Sequence, residues 1–208
     1  MAHTNPTPPR MRSWLFAPGD SEKKMGKAEG GNADIVLLDL EDSVAPENKP
    51  AARQMVAEQI AASANKARLW VRINPIAGHD CIADLAAIIP AQPGGVFLPK
   101  AEGSADITQL HHYLTALEAA NGIPLGRTLI AALVTETAAA MLRTGDYVGT
   151  YPGRERLVAM SWGAEDLSSA LGAREQRGPD GEYSHTYEMA RSLCLIGAAA
   201  AGDERGRE

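Results

Sequence analysis

The chain has 208 residues, with 45% hydrophobic and 22% charged side chains, a balance that suits one globular domain with a sizeable core. A formal net charge of -6 with no basic run makes duplex nucleic acid an unsuitable partner, although a few focused arginines in an acidic protein still bind anions. Charges or glycines interrupt every apolar run, so no segment spans a bilayer. The Pro-containing leader 1–11 lacks the apolar stretch of a signal peptide, which leaves a cytoplasmic protein as the expectation.

In chain order, Trp14 to Phe16 reads as a strand closed by Pro18-Gly19, and Asp20 or Ser21 caps a helix through Lys27. Ile35 to Leu38 is apolar without alternation, as a strand buried on both faces should be. Pro50 opens a helix that runs to about Ala62. Leu69 to Ile73 and Val96 to Leu98 form two further strands. Ile107, Leu110, Leu114 and Leu117 repeat at helical spacing up to Ala120. Leu129 to Val134 is a fifth strand, followed by a helix from Glu136 to about Arg143. Leu157 to Ser161 is a sixth, a short helix follows Gly163, and a long helix covers about Ser184 to Ala201.

Alternating strands and helices predict a parallel β/α architecture, either a barrel or an open doubly wound sheet. Polar residues follow the C-terminal end of five strands: Asp39, Glu41 and Asp42; Arg72 and Asn74; Lys100; Glu136; and Trp162, Glu165 and Asp166. A barrel gathers such ends at one mouth, whereas a doubly wound sheet concentrates its ligand at one switch point, so the distribution favours the barrel.

Glu136 and Asp166 each follow a buried strand, one β/α unit apart. Carboxylates brought close together resist ionising unless a cation neutralises them, and Mg2+ takes one or two carboxylates with waters and substrate oxygens. The alternative is that Asp166 caps a helix and Glu136 complements a helix dipole. Arg72 at a strand end needs an anion, either a substrate carboxylate or one of Asp39, Glu41 and Asp42. Asp39 fits a structural pairing. For Glu41 and Asp42, ion pairing and proton transfer both stay open. Amides beside Gly163 can face an anion, as helix N-termini do.

Cys81 and Cys194 lack metal-ligand spacing and read as packing residues. His111 and His112 lie mid-helix, on the surface or in packing contacts. No GxSxG, Walker A or GxGxxG pattern occurs, which counts against hydrolase, nucleotide-binding and dehydrogenase classes.

Six segments in order resemble the citrate lyase beta-subunit-like proteins of the HpcH/HpaI aldolase/citrate lyase family. They are RSWLFAPGD at Arg12 to Asp20, LLDLEDSVAPENKPAAR at Leu37 to Arg53, VRIN at Val71 to Asn74, FLPKAE at Phe97 to Glu102, TETAAA at Thr135 to Ala140 and WGAEDLSSALG at Trp162 to Gly172. The resemblance implies a (β/α)8 TIM barrel of the phosphoenolpyruvate/pyruvate-binding type over residues 12–202, with a polar tail at 203–208. It implies Mg2+ held by Glu136 and Asp166, a substrate carboxylate held by Arg72 with Glu136 beside it, and amides of Gly163, Ala164 and Glu165 receiving an oxo-acid. Asp42 falls where aldolase relatives carry a histidine base, and Arg12 falls in a region near the acyl-thioester carrier.

The implied reaction is carbon–carbon cleavage of a citryl-, malyl- or citramalyl-CoA type thioester into a keto acid and an acyl-CoA, in a homo-oligomer, trimer or hexamer. About six β/α units are readable here against eight in the family barrel, so the barrel is expected to be incomplete at the C-terminus. The C-terminal carboxylate that relatives lend to a neighbouring active site has no counterpart in this sequence. A member that binds Mg2+ and keto acid or acyl-CoA without turnover, or a malyl-CoA thioesterase, is the alternative expectation.

Overall fold

The computed structural model describes residues 10–203. Of the expected leader, residues 1–9 lie outside the described residues, as do residues 204–208 of the expected tail. Six strands alternate with helices: β1 Trp14–Pro18, α1 Glu22–Glu29, β2 Ile35–Asp39, α2 Lys49–Ala62, β3 Leu69–Arg72 and α3 His79–Ile88. The series continues with β4 Gly95–Leu98, α4 Ser104–Ala120, β5 Leu129–Leu133, α5 Ala138–Leu142, β6 Leu157–Ser161, α6 Glu165–Leu171 and α7 His185–Asp203. No described helix is long and apolar enough to cross a membrane.

All neighbouring strands are parallel, and their order in the sheet is β1-β2-β3-β4-β5-β6. The chain steps one strand over in the same direction each time, as in a barrel wall. A doubly wound sheet would reverse at a switch point. Among the described residues the sheet has two edges, β1 and β6.

Side chains alternate across the strands, so each strand feeds two apolar layers. Val36, Leu38, Val71, Val96, Leu98, Ile130 and Ala132 face outward and pack with Met25, Val56, Leu85, Ile107 and Leu114 of the helices. Ile35, Leu37, Trp70, Phe97, Leu129, Ala131 and Leu133 form the inner layer. Trp14 closes part of that layer, edge-on to Trp70 at 5.2 Å between ring centres. On the β1 and β6 side the inner layer opens into a cavity of about 260 Å³ that Trp14, Phe16, Phe97 and Met160 help to line.

Two positions show how tightly the layers constrain the sequence. Trp70 is fully buried, and Gly95 pairs with it in the β3–β4 register. A Cβ on Gly95 would lie 2.5 Å from the Trp70 ring. Gly95→Ala is therefore expected to cost about 1–3 kcal/mol through overpacking. A thermal melt should show the midpoint falling by roughly 3–10 °C.

Asn74 is the second position. Its backbone and side-chain N–H groups both donate to Asp84 Oδ2 at 2.7 Å, and its Nδ2 also donates to the Leu40 carbonyl at 2.9 Å. Arg53 donates to the other oxygen of Asp84 at 2.7 Å. This network ties the ends of β2 and β3 to α2 and α3, so Asn74 is consumed by the scaffold.

Helix α3 has no counterpart among the elements expected from sequence. It is ten residues long, it carries the buried Asp84 on its inner face, and Pro90 follows it closely. The apolar repeat is correspondingly short. Cys81 and Cys194 are buried free thiols, which burial pushes up to about 12 and about 11 respectively. Both therefore stay protonated and act as packing residues.

Candidate active site

The strand register builds the site. Asp39 and Arg72 are direct partners at the last rungs of β2 and β3, so their side chains leave the sheet together. Arg72 donates from Nε and Nη2 to the two oxygens of Asp39, both at 2.7 Å, in the bidentate geometry that suits guanidinium and carboxylate. Backbone amides of Glu41 and Ser43 donate to the same carboxylate at 2.9 and 3.1 Å. Burial alone would raise the Asp39 pKa. The Arg72 bonds, its charge and these amides overturn that and hold it below the ordinary value. Asp39 is thus a permanent anion that orients Arg72.

The remaining edge of the guanidinium faces outward. Arg72 Nη1 lies 3.0 Å from Glu41 Oε2 and 3.5 Å from Asp42 Oδ2. Phe16 of β1 packs under the guanidinium, 5.0 Å from its carbon to the ring centre. Glu41 is buried, whereas the Asp42 side chain is 58% exposed. Burial raises the Glu41 pKa, and the Lys100 and Arg72 contacts only partly offset it.

The loop after β4 supplies Lys100, the hub that the candidate residues named from sequence did not include. Its backbone N–H donates to Glu136 Oε2 at 2.7 Å. Its ammonium contacts Glu41 Oε1 at 2.6 Å and Asp166 Oδ2 at 2.8 Å. The two acids hold the ammonium charged: burial opposes the charge, but the bonds to Asp166 and Glu41 raise the lysine pKa above its ordinary value. One sequence signal pointed here, since Lys100 is the basic residue directly after β4 in FLPKAE.

Glu136, after β5, is 5% exposed. Burial is the main cause that lifts its pKa to about 7; the Lys100 amide works against the shift, and the charges of Asp166 and Glu41 add to it. Gly163 passes directly over this carboxyl. A side chain there would place a Cβ 3.1 Å from Glu136 Oε1, a tight contact that would push the carboxyl by a few tenths of an ångström. Asp166 lies in the first turn of α6 with its side chain 30% exposed.

Arg72, Glu41, Asp42, Glu136, Gly163 and Asp166 therefore meet at one mouth, while Arg12 lies apart from it and the Gly163 amide and Glu165 side chain have partners of their own. Arg12 precedes β1, so it sits at the opposite end of the strands. There its amide and Nε bond to Asp34 at 3.0 and 3.3 Å. The Gly163 amide is already donated to Thr135 Oγ1 at 3.2 Å. The Glu165 side chain turns to Gln176 Nε2 at 2.7 Å. Ala164 and Glu165 keep their backbone place at the start of α6, where the first amides of a helix lack intrahelical partners.

The site carries an excess of negative charge. Asp39, Glu41, Asp42 and Asp166 pair with the two cations Arg72 and Lys100, and Glu136 accepts from the Lys100 backbone amide. One ligand oxygen from each of Glu41, Asp42 and Asp166 lies within 4.8 Å of the others. Glu41 Oε2 is buried and accepts no hydrogen bond, meeting Arg72 only as an ion pair. An all-oxygen carboxylate set with an unsatisfied buried acceptor fits a hard divalent cation. Glu136 stands beside that trio, joined to it through Lys100.

A sequential parallel β/α wall with an acid-and-arginine mouth at its strand ends defines an aldolase-type barrel protein. Residues 12–202 match the model of the HpcH/HpaI aldolase/citrate lyase family, and the chain belongs to that family. It is 35% identical over 191 residues to a citrate lyase subunit beta-like protein of Mycobacterium tuberculosis, covering 91% of this chain and 60% of that protein. It is 32% identical over 193 residues to a (3S)-malyl-CoA thioesterase of Cereibacter sphaeroides, covering 92% and 60%. A crystal structure of CitE from M. tuberculosis in complex with magnesium, acetoacetate and coenzyme A superposes with a TM-score of 0.73. It shares 34% identity, covering 93% of this chain and 64% of that one. The chain thus spans about 60% of the length of these curated relatives.

Proposed function

We propose that this chain is a Mg2+-dependent carbon–carbon lyase acting on a 3-hydroxy-diacyl-CoA of the citryl-, malyl- or citramalyl-CoA type, with a keto acid and an acyl-CoA as products. The observation that carries this reading is the meeting of Arg72 with the Glu41, Asp42, Glu136 and Asp166 carboxylates at one set of strand ends. The complex of M. tuberculosis CitE with magnesium, acetoacetate and coenzyme A supports it. Glu136 and Asp166 would hold the ion, and Glu41 and Asp42 each bring a carboxylate oxygen within 4.8 Å of one on Asp166. An ion held there would supply Lewis-acid polarisation of a substrate oxygen.

The chain's own residues account for the rest. Arg72, oriented by Asp39, turns its Nη1 edge to the substrate carboxylate and fixes its position. Asp42, the exposed acid at the mouth, takes the hydroxyl proton and exchanges it with solvent. The carbon–carbon bond then breaks, its electron pair passes to the thioester α-carbon, and that enolate is protonated to give the acyl-CoA. Glu41, buried between Lys100 and Arg72, fixes the position of both cations. Amides of Ala164 and Glu165 at the start of α6 receive the oxo-acid. The working form would be a cytoplasmic homo-oligomer, trimer or hexamer.

The test is incubation with citryl-, malyl- and citramalyl-CoA in millimolar Mg2+, with products identified by mass spectrometry. The expected result is a keto acid and an acyl-CoA, abolished by a chelator. Free CoA with intact malate would favour the thioesterase reading that the C. sphaeroides relative suggests. Binding without product would leave only a ligand-binding member of the family.

A further inference from the structure

Lys100 is held in a way that a lysine rarely adopts. Its φ is 52°, in the left-handed region that costs a side chain its usual backbone preference. In that conformation one residue serves three acids. Its amide reaches Glu136 at 2.7 Å, while its ammonium reaches Glu41 at 2.6 Å and Asp166 at 2.8 Å. These acids follow three different strands, β2, β5 and β6, so the contacts draw three loops to one point.

The ammonium also bonds two of the three carboxylates that come within 4.8 Å of one another. A lysine ammonium is a compact point charge with three donors and no acceptor. Two cations that need the same oxygen at contact distance exclude each other by repulsion and by geometry. We propose that Lys100 is a tethered counter-ion: its ammonium occupies the place beside Asp166 that a divalent cation needs, so metal binding and the Lys100–Asp166 pair are mutually exclusive.

The proposal rests on the metal-binding reading and adds a direction to it. The ligand-free acid cluster is kept charge-compensated and assembled by Lys100. Divalent metal then binds more weakly than the carboxylates alone would allow, because it must first displace an ammonium. Once displaced from Asp166, the ammonium stays tethered beside Glu41, close to the bound substrate.

The test uses Mn2+ alone as the probe, followed by electron paramagnetic resonance of the free ion. It compares the natural chain with Lys100→Gly and Lys100→Met. Glycine accepts the positive φ without strain and keeps the amide bond to Glu136, while methionine keeps the apolar stem. The expected result is that both variants bind Mn2+ about ten-fold tighter or better, since a competing unit charge has gone. Melting with and without Mn2+ gives a second readout. The variants should be less stable than the natural chain without metal and gain more from it. Mn2+ binding by the natural chain with equal or weaker binding by both variants would overturn the proposal and leave the metal reading standing. No Mn2+ binding by any of the three chains, with or without oxaloacetate, would overturn both.

Discussion

On the proposed lyase reading, Glu136→Gln is expected to remove any stabilisation by magnesium and to lower any thioester cleavage by about two to three orders of magnitude, the scale on which a removed electrostatic group in an active site acts. The substitution changes little else. Glutamine keeps an oxygen to accept the Lys100 amide and fits beneath Gly163. What disappears is a carboxyl whose ionisation is opposed first by burial and then by the charges of Asp166 and Glu41, a cost that is felt above about pH 4.5. Without ligands, the variant should therefore melt higher than the natural chain, by about 1–3 kcal/mol of added stability, because it no longer buries a repelled charge. Lower activity with higher ligand-free stability is the signature of a residue whose charge serves ligand binding. Melting curves with and without Mg2+, together with the cleavage assay, check both halves. A variant that melts lower and still turns over at the natural rate would show that Glu136 belongs to the scaffold.

The sequence carried the strands well because each is a short apolar run with punctuation on both sides. Ile35–Asp39 was legible almost to the residue, since burial on both faces leaves an uninterrupted apolar string, and Leu157–Ser161 was legible from its apolar run although only Leu157 is fully buried. Strand-end polarity then pointed to the mouth, because a parallel barrel turns position along each strand into proximity in space.

Pairing within that cluster was not legible. Asp39, Glu41 and Asp42 stand within four positions, and sequence does not say which of them Arg72 selects. The β2–β3 register does: it sets Asp39 beside Arg72 and leaves Glu41 to turn toward Lys100. Lys100 was legible as a basic strand-end residue, but its joining of Glu41, Glu136 and Asp166 was not, because that depends on a left-handed backbone, which no residue pattern announces. The distance of Arg12 from the mouth was not legible for a related reason. It shares a segment with residues near the mouth, but a five-residue strand separates it from them, and Asp34 engages it at the other end.

Arg156→Met is expected to destabilise the chain by about 3–5 kcal/mol, lowering the melting midpoint by roughly 10 °C. Arg156 and Glu118 are almost wholly buried, and the guanidinium donates to the two carboxylate oxygens at 2.9 and 2.7 Å. It also donates to the Thr128 carbonyl at 2.9 Å and to His111 Nδ1 at 3.1 Å. Amides of Gly126 and Thr128 donate to Glu118 at 2.8 Å each, so the pair fixes the turn between α4 and β5. Removing the arginine leaves a carboxylate buried among neutral groups, which costs more than the intact pair contributes. The double variant Arg156→Met with Glu118→Gln should recover much of the loss, because the two amides keep an acceptor and no charge is stranded.

The same network sets a pH dependence with a definite sign. Burial would raise the Glu118 pKa, but the Arg156 bonds and the two amides overturn this and hold it below the ordinary value. Its contribution is therefore present above the unfolded pKa, about 4.3, and is lost as pH falls through the lower folded value. His111 adds to the acid side. Burial first, and then the neighbouring Arg156 charge, depress its pKa, with Glu155 opposing and His112 assisting. A group kept neutral in this way costs stability as pH falls below about 6.5, where the unfolded chain takes up the proton. The raised Glu136 and Glu41 values act in the opposite sense in both chains, so the readout is the difference between them. The gap in urea midpoint between the natural chain and Arg156→Met should narrow as pH falls from 7 to 3, because a stranded Glu118 is relieved by protonation while the intact pair loses its contribution below about 4.3. A gap that stays constant over this range would show that the buried pair does not govern the acid stability of this fold.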